Sequence, residues 1–252
     1  MRVNVSDLVA KGCQPVAMMQ ASAWGADATP DDHATFARGL ADDLPRYGIG
    51  LLGGDTTRLP PGQGPVFTVT MFGRPLGDAV PSRAGADAGD VLFLSGTVGD
   101  GGLGLWHLTG RWHAGRHVDA VTAAYRTPDP PSGAAATIAR YAKASLDVSD
   151  GLLADAGHLA AGSGVGARIA ADALPLSSAG RAYVAGGGLV ADLAAAGDDY
   201  QALVAVTPDD ADAFAHETGF ARIGTFEDGE GVRLIARDGT RLTPRRTGYQ
   251  HF

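Results

Sequence analysis

Five short stretches of the chain place an aspartate beside glycine, serine or threonine, a combination that could bind metal and phosphate. They are NVSD at 4–7, GGDTT at 53–57, SGTVGD at 95–100, LDVSDG at 146–151 and GDDY at 197–200. Singly, such a stretch is more often a helix cap or a turn, because Asp and Ser satisfy free backbone N–H groups. Asp147 and Asp150 together repel each other unless a cation lies between them. Oxygen ligands of this kind favour Mg²⁺, which usually bridges carboxylates to substrate phosphates.

Other common catalytic patterns are missing from the sequence. There is no P-loop, and Lys11 and Lys143 are the only lysines, so phosphate charge would have to be met by Mg²⁺ and by an arginine such as Arg83. His113 and His117 are four residues apart, but without an HExxH pattern they do not indicate zinc. No G-x-S-x-G motif is present, and nothing in the sequence supports nucleophilic catalysis.

The segment GDGGLG at 99–104 matches the G-x-G-x-x-G pattern of dinucleotide-binding proteins. That pattern also needs a strand ending in an acidic residue about 20 residues later. The segment around Asp119 does not look like a strand, so we assign no dinucleotide site here.

Composition narrows the class of protein. The 252 residues include 28 acidic and 20 basic side chains, for a net charge of −8, which argues against a nucleic-acid-coating protein. No apolar run reaches the roughly 18 residues of a membrane helix, and the N-terminal residues do not resemble a signal peptide. A single cysteine, Cys13, excludes an internal disulfide, and we expect a cytoplasmic protein with no membrane or nucleic-acid partner.

The elements that must position these aspartates alternate between strands and helices. Predicted strands cover 14–24, 49–55, 64–75, 91–96, 201–206, 221–228 and 231–239, and predicted helices cover 6–12, 30–48, 102–110, 137–144 and 209–219. We expect Ser6 or Asp7 to begin the first helix, and the strand at 49–55 to run into a glycine loop. The polar segment 74–90, with two prolines and three glycines, indicates a domain boundary. The pattern predicts an α/β (or α+β) protein with two lobes, 1–82 and 83–252.

Together and in this order, NVSDL, LLGGDTT, the segment from Gly89 to Leu105, LDVSDGLLAD, AAGDDY and the terminal GYQHF resemble the thiamine-monophosphate kinase family. The resemblance covers essentially the whole chain and implies the fold of the aminoimidazole ribonucleotide synthetase-like superfamily. It implies transfer of the γ-phosphoryl group of ATP to thiamine monophosphate with Mg²⁺, giving thiamine diphosphate and ADP. It also implies a homodimer formed through the N-terminal sheets.

The resemblance assigns roles to particular residues. Mg²⁺ would be held by Asp7, Asp55, Asp147 and Asp150; ATP would contact Gly54, Asp55, Arg83 and Ser149; thiamine monophosphate would contact Asp198 and Tyr249. Gly53 and Gly54 would let the backbone approach the nucleotide phosphates. No protein nucleophile is expected, because the acceptor is itself a phosphate that is largely ionised near pH 7.

The sequence departs from the family's pattern in two places. Asp198 stands where the family has glutamate, and the chain begins at the NVSD motif, whereas the family has a Gly-Asp-Asp motif some tens of residues earlier. Two alternatives therefore stand beside the kinase: a catalytically incomplete nucleotide-binding relative, and a sister ATP-dependent enzyme of the superfamily.

Overall fold

The structure is a computed structural model that describes residues 1–245 and contains two β-sheets with helices around them. The first part of the chain forms α1 (Arg2–Ala10), β1 (Cys13–Trp24), α2 (Pro30–Tyr47), β2 (Gly50–Arg58) and β3 (Val66–Pro75). The rest forms β4 (Val91–Leu94), α3 (Asp100–Leu108), α4 (Val118–Arg126), α5 (Ala135–Tyr141), β5 (Ala144–Asp147), α6 (Leu152–Ser163), β6 (Gly166–Ala170), α7 (Ser178–Ala185), α8 (Val190–Ala194), β7 (Ala202–Val206), α9 (Ala211–Thr218), β8 (Ala221–Glu227), β9 (Gly231–Ile235) and β10 (Arg241–Leu242).

The small sheet has the strand order β2-β1-β3, with β2 parallel and β3 antiparallel to β1. The parallel pairing requires a crossover, which α2 supplies. This helix begins with a capping box between Thr29 and Asp32, carries Pro30 in its first turn, and ends at Gly48 in the left-handed conformation. Within residues 1–245, no helix is both long and apolar enough to cross a membrane.

Strand β2 corrects the prediction of a glycine loop after residue 52. The strand continues to Arg58, and its register against β1 shifts between Met18 and Met19, which leaves Leu52 as the extra residue of a bulge. A Cβ at Gly54 would lie 1.7 Å from the Gln20 carbonyl oxygen, so close strand contact alone requires glycine there. Gly53, with φ of 152°, follows the bulge.

The large sheet has seven strands in the order β10-β9-β6-β8-β4-β7-β5. All neighbours pair antiparallel except β6 and β9, which are parallel. Both faces are buried: in β4, Leu92 and Leu94 join one apolar cluster, whereas Phe93 joins the other with Phe214. This alternation follows from the two-residue period of a strand.

Helix α1 packs against both sheets. Val5 and Val9 are buried in the cluster of the small sheet with Met18, whereas Ala10 belongs to a cluster of the large sheet with Phe93. The helix begins at Arg2, so the expectation that Ser6 or Asp7 begins it was wrong. The apolar pair Val5 and Val9, one turn apart, extends the helix toward the N-terminus, because both side chains gain burial on the same face.

The small sheet leaves large apolar side chains exposed on its strands. Leu52 is 67% exposed, and the other members of this apolar patch are Met19, Val66 and Phe72, which the strand register places on one face of the sheet. Exposed apolar side chains that share one sheet face mark an association surface more often than a solvated one.

The ion pair between Arg2 and Asp43 provides a test of how α1 is fixed. The Arg2 guanidinium donates to both carboxylate oxygens of Asp43 at 2.8 to 3.1 Å and to the Thr127 carbonyl oxygen at 2.9 Å, in a half-buried position. We expect Arg2→Ala to lower the free energy of unfolding by about 2 kcal/mol, because it leaves the partly buried Asp43 carboxylate without its partner.

Urea denaturation of the two proteins measures this difference. The matched control is Arg46→Ala, which removes the exposed ion pair between Arg46 and Asp129 and should cost about 0.5 kcal/mol or less. Equal losses in the two variants would contradict the assignment of Arg2 as a structural anchor.

Candidate metal and substrate site

The site lies where β5 ends and β7 begins, because these two strands are antiparallel neighbours. Asp147 pairs with Ala202, and the backbone ladder continues past it: Val148 N–H donates to the Gln201 carbonyl at 2.8 Å and Tyr200 N–H to the Val148 carbonyl at 2.7 Å. We call residues 148–151 the SDG turn and residues 197–200 the DDY turn. The two turns lie side by side, since Asp198 N–H also donates to the Ser149 carbonyl at 2.9 Å.

Asp147 meets the second turn of α1 at this edge. The Ser6 hydroxyl lies 2.6 Å from both the Val3 carbonyl and Asp147 Oδ2, and it has one hydrogen for two acceptors. The Asp7 carboxyl group lies close enough to Asp147 for each to affect the pKa of the other. Two ionised carboxylates this close repel each other, so the pair favours a shared proton or a cation.

The acidity of the pair reflects its surroundings. Burial raises the pKa of Asp147 to about 6, with the hydrogen bond from Ser6 opposing the rise and the Asp7 carboxylate adding to it. Burial also raises the pKa of Asp7, which the hydrogen bond with Asp147 and the nearby positive charge of Arg83 oppose. A divalent cation can replace the shared proton, so the donor set of Asp7 and Asp147 fits a hard metal ion such as Mg²⁺.

The SDG turn is held by a single buried carboxylate, Asp155. Its Oδ2 accepts the backbone N–H groups of Ser149, Asp150 and Gly151 at 3.0, 3.0 and 3.1 Å. Burial raises the pKa of Asp155 to about 7, although the backbone hydrogen bonds favour its ionised form. The side chain therefore fixes the backbone of Asp150, one of the predicted metal ligands.

Asp155 and His158 were not among the predicted site residues. Ligand atoms of Asp150, Asp155 and His158 lie within 4.8 Å of one another, with Asp155 buried and His158 exposed. The spacing of Asp155 and His158, three residues apart on α6 directly after the SDG turn, was the available signal, since it places both on one helix face.

The DDY turn has a strained backbone. Asp198 and Tyr200 have φ of 68° and 51°, in the left-handed region that costs non-glycine residues of order 1 kcal/mol each. Between them, the buried Asp199 carboxylate accepts N–H groups from Gly99 at 2.6 Å and Gly101 at 3.0 Å. The Tyr200 hydroxyl donates to Asp198 Oδ1 at 3.1 Å. These glycines belong to the G-x-G-x-x-G match, so the segment has a structural role here.

A cavity of about 670 Å³ opens between the two turns and α3. It is lined by Gly102, Leu105, Trp106, Arg111, Trp112, Tyr125, Ser149, Asp150, Tyr183, Asp192, Ala195, Ala196, Gly197, Asp198, Tyr200 and Arg245. Aromatic side chains form much of its wall, and carboxylates from both turns reach its edge. Such a cavity suits a small ligand that has aromatic character, positive charge and a group able to meet a metal.

The other predicted site residues are Arg83, Gly54, Asp55 and Tyr249. Arg83 is exposed in the segment between the sheets, and its charge acts on Asp7 and Lys11, so it lies close to the carboxyl pair. Asp55 is exposed on β2, where its Oδ1 accepts the Thr56 N–H at 2.9 Å. Its described hydrogen bonds are to residues of β1 and β2, and Gly54 next to it pairs with Gln20 of β1. Tyr249 lies outside the described residues.

Two family models match the chain. Residues 1–74 match the AIR synthase related protein, N-terminal domain, and residues 87–237 match the AIR synthase related protein, C-terminal domain. Together the two models cover most of the chain, in the order that this class of protein has.

Similar proteins and solved structures narrow the class further. The thiamine-monophosphate kinase of Caulobacter vibrioides is 39% identical over 100% of this chain and 72% of its own length, and that of Salmonella typhimurium is 34% identical over 99% and 78%. The crystal structure of thiamine monophosphate kinase from Aquifex aeolicus has a TM-score of 0.83 at 30% identity, covering 96% of this chain and 80% of that one. The chain belongs to the AIR synthase related family, in its thiamine-monophosphate kinase branch.

Two further structures describe the fold and a ligand complex. AaThiL complexed with AMPPCP and TMP has a TM-score of 0.83 at 30% identity, covering 99% of this chain and 78% of that one. The hydrogenase maturation protein HypE has a TM-score of 0.81 at 18% identity, and that likeness establishes a shared fold alone.

The raised pKa of Asp155 gives a prediction for the metal-free protein. Its folded-state pKa of about 7 lies above the ordinary value of 3.8, so the folded state holds a proton that the unfolded state has released. Stability contributed by this proton is present below about pH 4 and is lost as the pH rises to about 7. In chelator, we expect the wild type to lose about 2 kcal/mol of unfolding free energy between pH 5 and 8 relative to Asp155→Asn, which cannot titrate.

Urea denaturation at a series of pH values measures the difference. Asp119→Asn, at an exposed aspartate in the first turn of α4, serves as the control and should follow the wild type. Parallel curves for the wild type and Asp155→Asn would contradict the burial argument.

Proposed function

We propose that this chain transfers the γ-phosphoryl group of ATP to thiamine monophosphate, forming thiamine diphosphate and ADP. The carrying observation is the geometry at the β5–β7 edge, where the Asp7–Asp147 carboxyl pair and Asp150 adjoin a cavity with aromatic walls. The identity to thiamine-monophosphate kinases and the fold shared with AaThiL complexed with AMPPCP and TMP support the same activity.

The proposed reaction needs positioning and neutralisation of charge. An oxygen of the acceptor phosphate attacks the γ-phosphorus, and the bond to the β,γ-bridging oxygen breaks, so that ADP leaves carrying the electron pair. The acceptor phosphate is already largely ionised near pH 7, because its second pKa is about 6. No general base or protein nucleophile is therefore required, and the chain's task is to hold two anions in line.

Mg²⁺ fits the acidic residues of this site. When bound, the ion would neutralise charge that accumulates on the phosphate oxygens. Asp7, Asp147 and Asp150 are the proposed ligands at the β5–β7 edge, with Asp55 as the fourth from β2. Asp155 has a different role, because its Oδ2 accepts three backbone N–H groups and thereby holds the SDG turn.

The nucleotide would lie on the side of the cluster that faces the segment between the sheets. Arg83 is exposed there and close enough to Asp7 to affect its pKa, so it is placed to meet phosphate oxygens. Ser149 in the SDG turn, together with Gly54 and Asp55 on β2, completes the proposed ATP contacts.

The cavity suits the organic part of thiamine monophosphate. That substrate carries a cationic thiazolium ring and an aminopyrimidine ring, and aromatic faces attract such a cation. Trp106, Trp112 and Tyr183 lie on the cavity wall, and Asp150 of the SDG turn and Asp198 of the DDY turn line it as well. Asp198 and Tyr249 remain the proposed substrate contacts, with Asp198 one methylene shorter than the family's glutamate.

We further propose a homodimer, a cytoplasmic location, and lobes that divide between residues 82 and 83. The apolar patch of the small sheet supports association of two copies, because an exposed area of this kind gains stability when covered. The alternatives differ in outcome: an incomplete relative would bind ATP without forming product, and a sister enzyme would turn over a different acceptor.

The first prediction for this function concerns product formation and its dependence on the metal cluster. The purified 252-residue chain should form thiamine diphosphate from thiamine monophosphate, ATP and Mg²⁺, with loss of product on chelation. Asp150→Asn should reduce turnover at least about 100-fold, because removing a ligand weakens charge neutralisation of the transferring phosphoryl group. Chromatographic measurement of thiamine diphosphate is the readout.

The control variant is again Asp119→Asn, which should keep the wild-type rate. Unchanged turnover in Asp150→Asn would remove the metal assignment. ATP binding by a folded wild-type protein that forms no product would favour the incomplete relative.

The second prediction concerns the proposed dimer. Leu52→Glu places a charge in the apolar patch and should convert the protein to a monomer, because burying an unpaired carboxylate in an interface is costly. Sedimentation velocity measures the change, and Leu108→Glu, at an exposed leucine at the end of α3, is the control. A wild-type monomer, or a Leu52→Glu dimer as stable as the wild type, would contradict this interface.

A further inference from the structure

The DDY turn presents Gly197, Asp198 and Tyr200 to the cavity, whereas Asp199 faces the protein interior. Asp198 and Tyr200 line the cavity, but Asp199 between them is buried. Both carboxylate oxygens of Asp199 are occupied, Oδ2 by the Gly99 N–H at 2.6 Å and Oδ1 by the Gly101 N–H at 3.0 Å. Asp199 is thus the one residue of the turn that cannot reach a ligand.

The contacts of Asp199 oppose the strain on its neighbours. Asp198 and Tyr200 both have positive φ, a conformation that relaxes unless the surrounding structure holds it. Gly99 and Gly101 lie at the N-terminal end of α3, where free N–H groups and the helix dipole stabilise a carboxylate. Burial raises the pKa of Asp199 to about 8, which the two backbone hydrogen bonds oppose.

The first turn of α3 packs closely beneath the DDY turn. A Cβ added at Gly101 would lie 2.2 Å from the Asp198 carbonyl oxygen, and one added at Gly102 would lie 2.4 Å from the Ala196 Cβ. The other side of the turn is joined to the SDG turn by the N–H groups of Asp198 and Tyr200. The DDY turn is therefore fixed between α3 and the proposed metal ligands.

We propose that Asp199 is a positioning residue that anchors the DDY turn to the N-terminus of α3 and thereby sets the placement of Asp198 and Tyr200 against the acceptor substrate. The assignment of that substrate as thiamine monophosphate rests on the function proposed above. The anchoring itself rests only on the hydrogen bonds, burial and backbone conformation of residues 99–101 and 197–200.

The test compares Asp199→Asn with Asp90→Asn. The asparagine at 199 keeps the shape of the side chain but turns one acceptor into an NH₂ donor that faces a backbone N–H. Asp90 is also buried, accepts the Asp87 N–H at 2.7 Å and pairs with Lys143 at 2.9 Å, but it precedes β4 at the end away from the cavity. The control therefore also loses a buried carboxylate, but not one at the turn.

Two measurements are made on each protein. In hydrogen exchange followed by mass spectrometry, the peptide spanning 196–202 should lose at least about tenfold protection in Asp199→Asn and none in Asp90→Asn, because the anchored turn opens locally. In steady-state assays, Asp199→Asn should raise the KM for thiamine monophosphate at least about tenfold while the KM for ATP stays within about threefold.

The outcomes distinguish the anchoring role of Asp199 from the proposed kinase function. Exchange needs no substrate, so it decides whether Asp199 anchors the turn even if the wild type forms no thiamine diphosphate. Unchanged exchange in Asp199→Asn, or an equal loss in Asp90→Asn, would overturn the anchoring. An Asp199→Asn protein whose hydrogen exchange equals that of the wild type but whose turnover is lost would also overturn the anchoring.

A second variant covers the case in which Asp199→Asn does not fold. Gly101→Ala leaves the carboxylate in place but pushes a methyl group against the Asp198 carbonyl oxygen. We expect the same loss of exchange protection at 196–202 and the same selective rise in the KM for thiamine monophosphate. Normal exchange and normal KM in a folded Gly101→Ala protein would contradict the proposal.

Discussion

Antiparallel pairing of β5 with β7 is the constraint on which the candidate site depends. The two strands are separated by more than fifty residues in sequence, yet the pairing of Asp147 with Ala202 brings the end of one beside the start of the other. Three backbone hydrogen bonds then continue the ladder into the SDG and DDY turns. Backbone groups make these contacts. The relative position of the proposed metal ligands and substrate contacts therefore depends on strand pairing and not on the identity of the side chains.

Buried carboxyl groups, which are costly to ionise away from water, are concentrated at this edge. Asp147, Asp155 and Asp199 are buried carboxyl groups, and burial raises the pKa of each. Hydrogen-bond donors hold each of them: the Ser6 hydroxyl for Asp147, three consecutive N–H groups for Asp155, and the N-terminus of α3 for Asp199. The aspartates proposed to bind a cation, which include Asp147 and Asp150, thus depend on a second pair of aspartates, Asp155 and Asp199, that hold the backbone of the two turns.

Much of the fold could be predicted from periodicity and turn residues. The strands at 14–24, 64–75 and 91–96 and the helix at 30–48 have strong local signals, and the structure contains all four. The family and fold followed from motif order, and the matches to AIR synthase related domains confirm them. The glycine loop and the start of α1 were wrong because a β-bulge against β1 and the packing of Val5 and Val9 are long-range effects.

The candidate site could be predicted only in part, because some of its contacts are also long-range. The spacing of Asp147 and Asp150 suggested a metal from sequence alone, since like charges so close need a cation. The anchoring contacts of Asp155 and Asp199 could not be read this way, because both depend on which N–H groups the fold leaves unpaired. The placement of Asp55 on β2 depends equally on strand pairing.

Helix α1 has a consequence for how the molecule unfolds. One face of this helix is part of the apolar cluster around Met18, while its C-terminal residues join the large sheet through Ala10 and through hydrogen bonds with Ser145 and Asp147. Neither sheet can lose its packing without stripping the helix from the other. The two halves of the chain are therefore thermodynamically coupled, and a single cooperative calorimetric transition is the natural behaviour of a molecule built in this way.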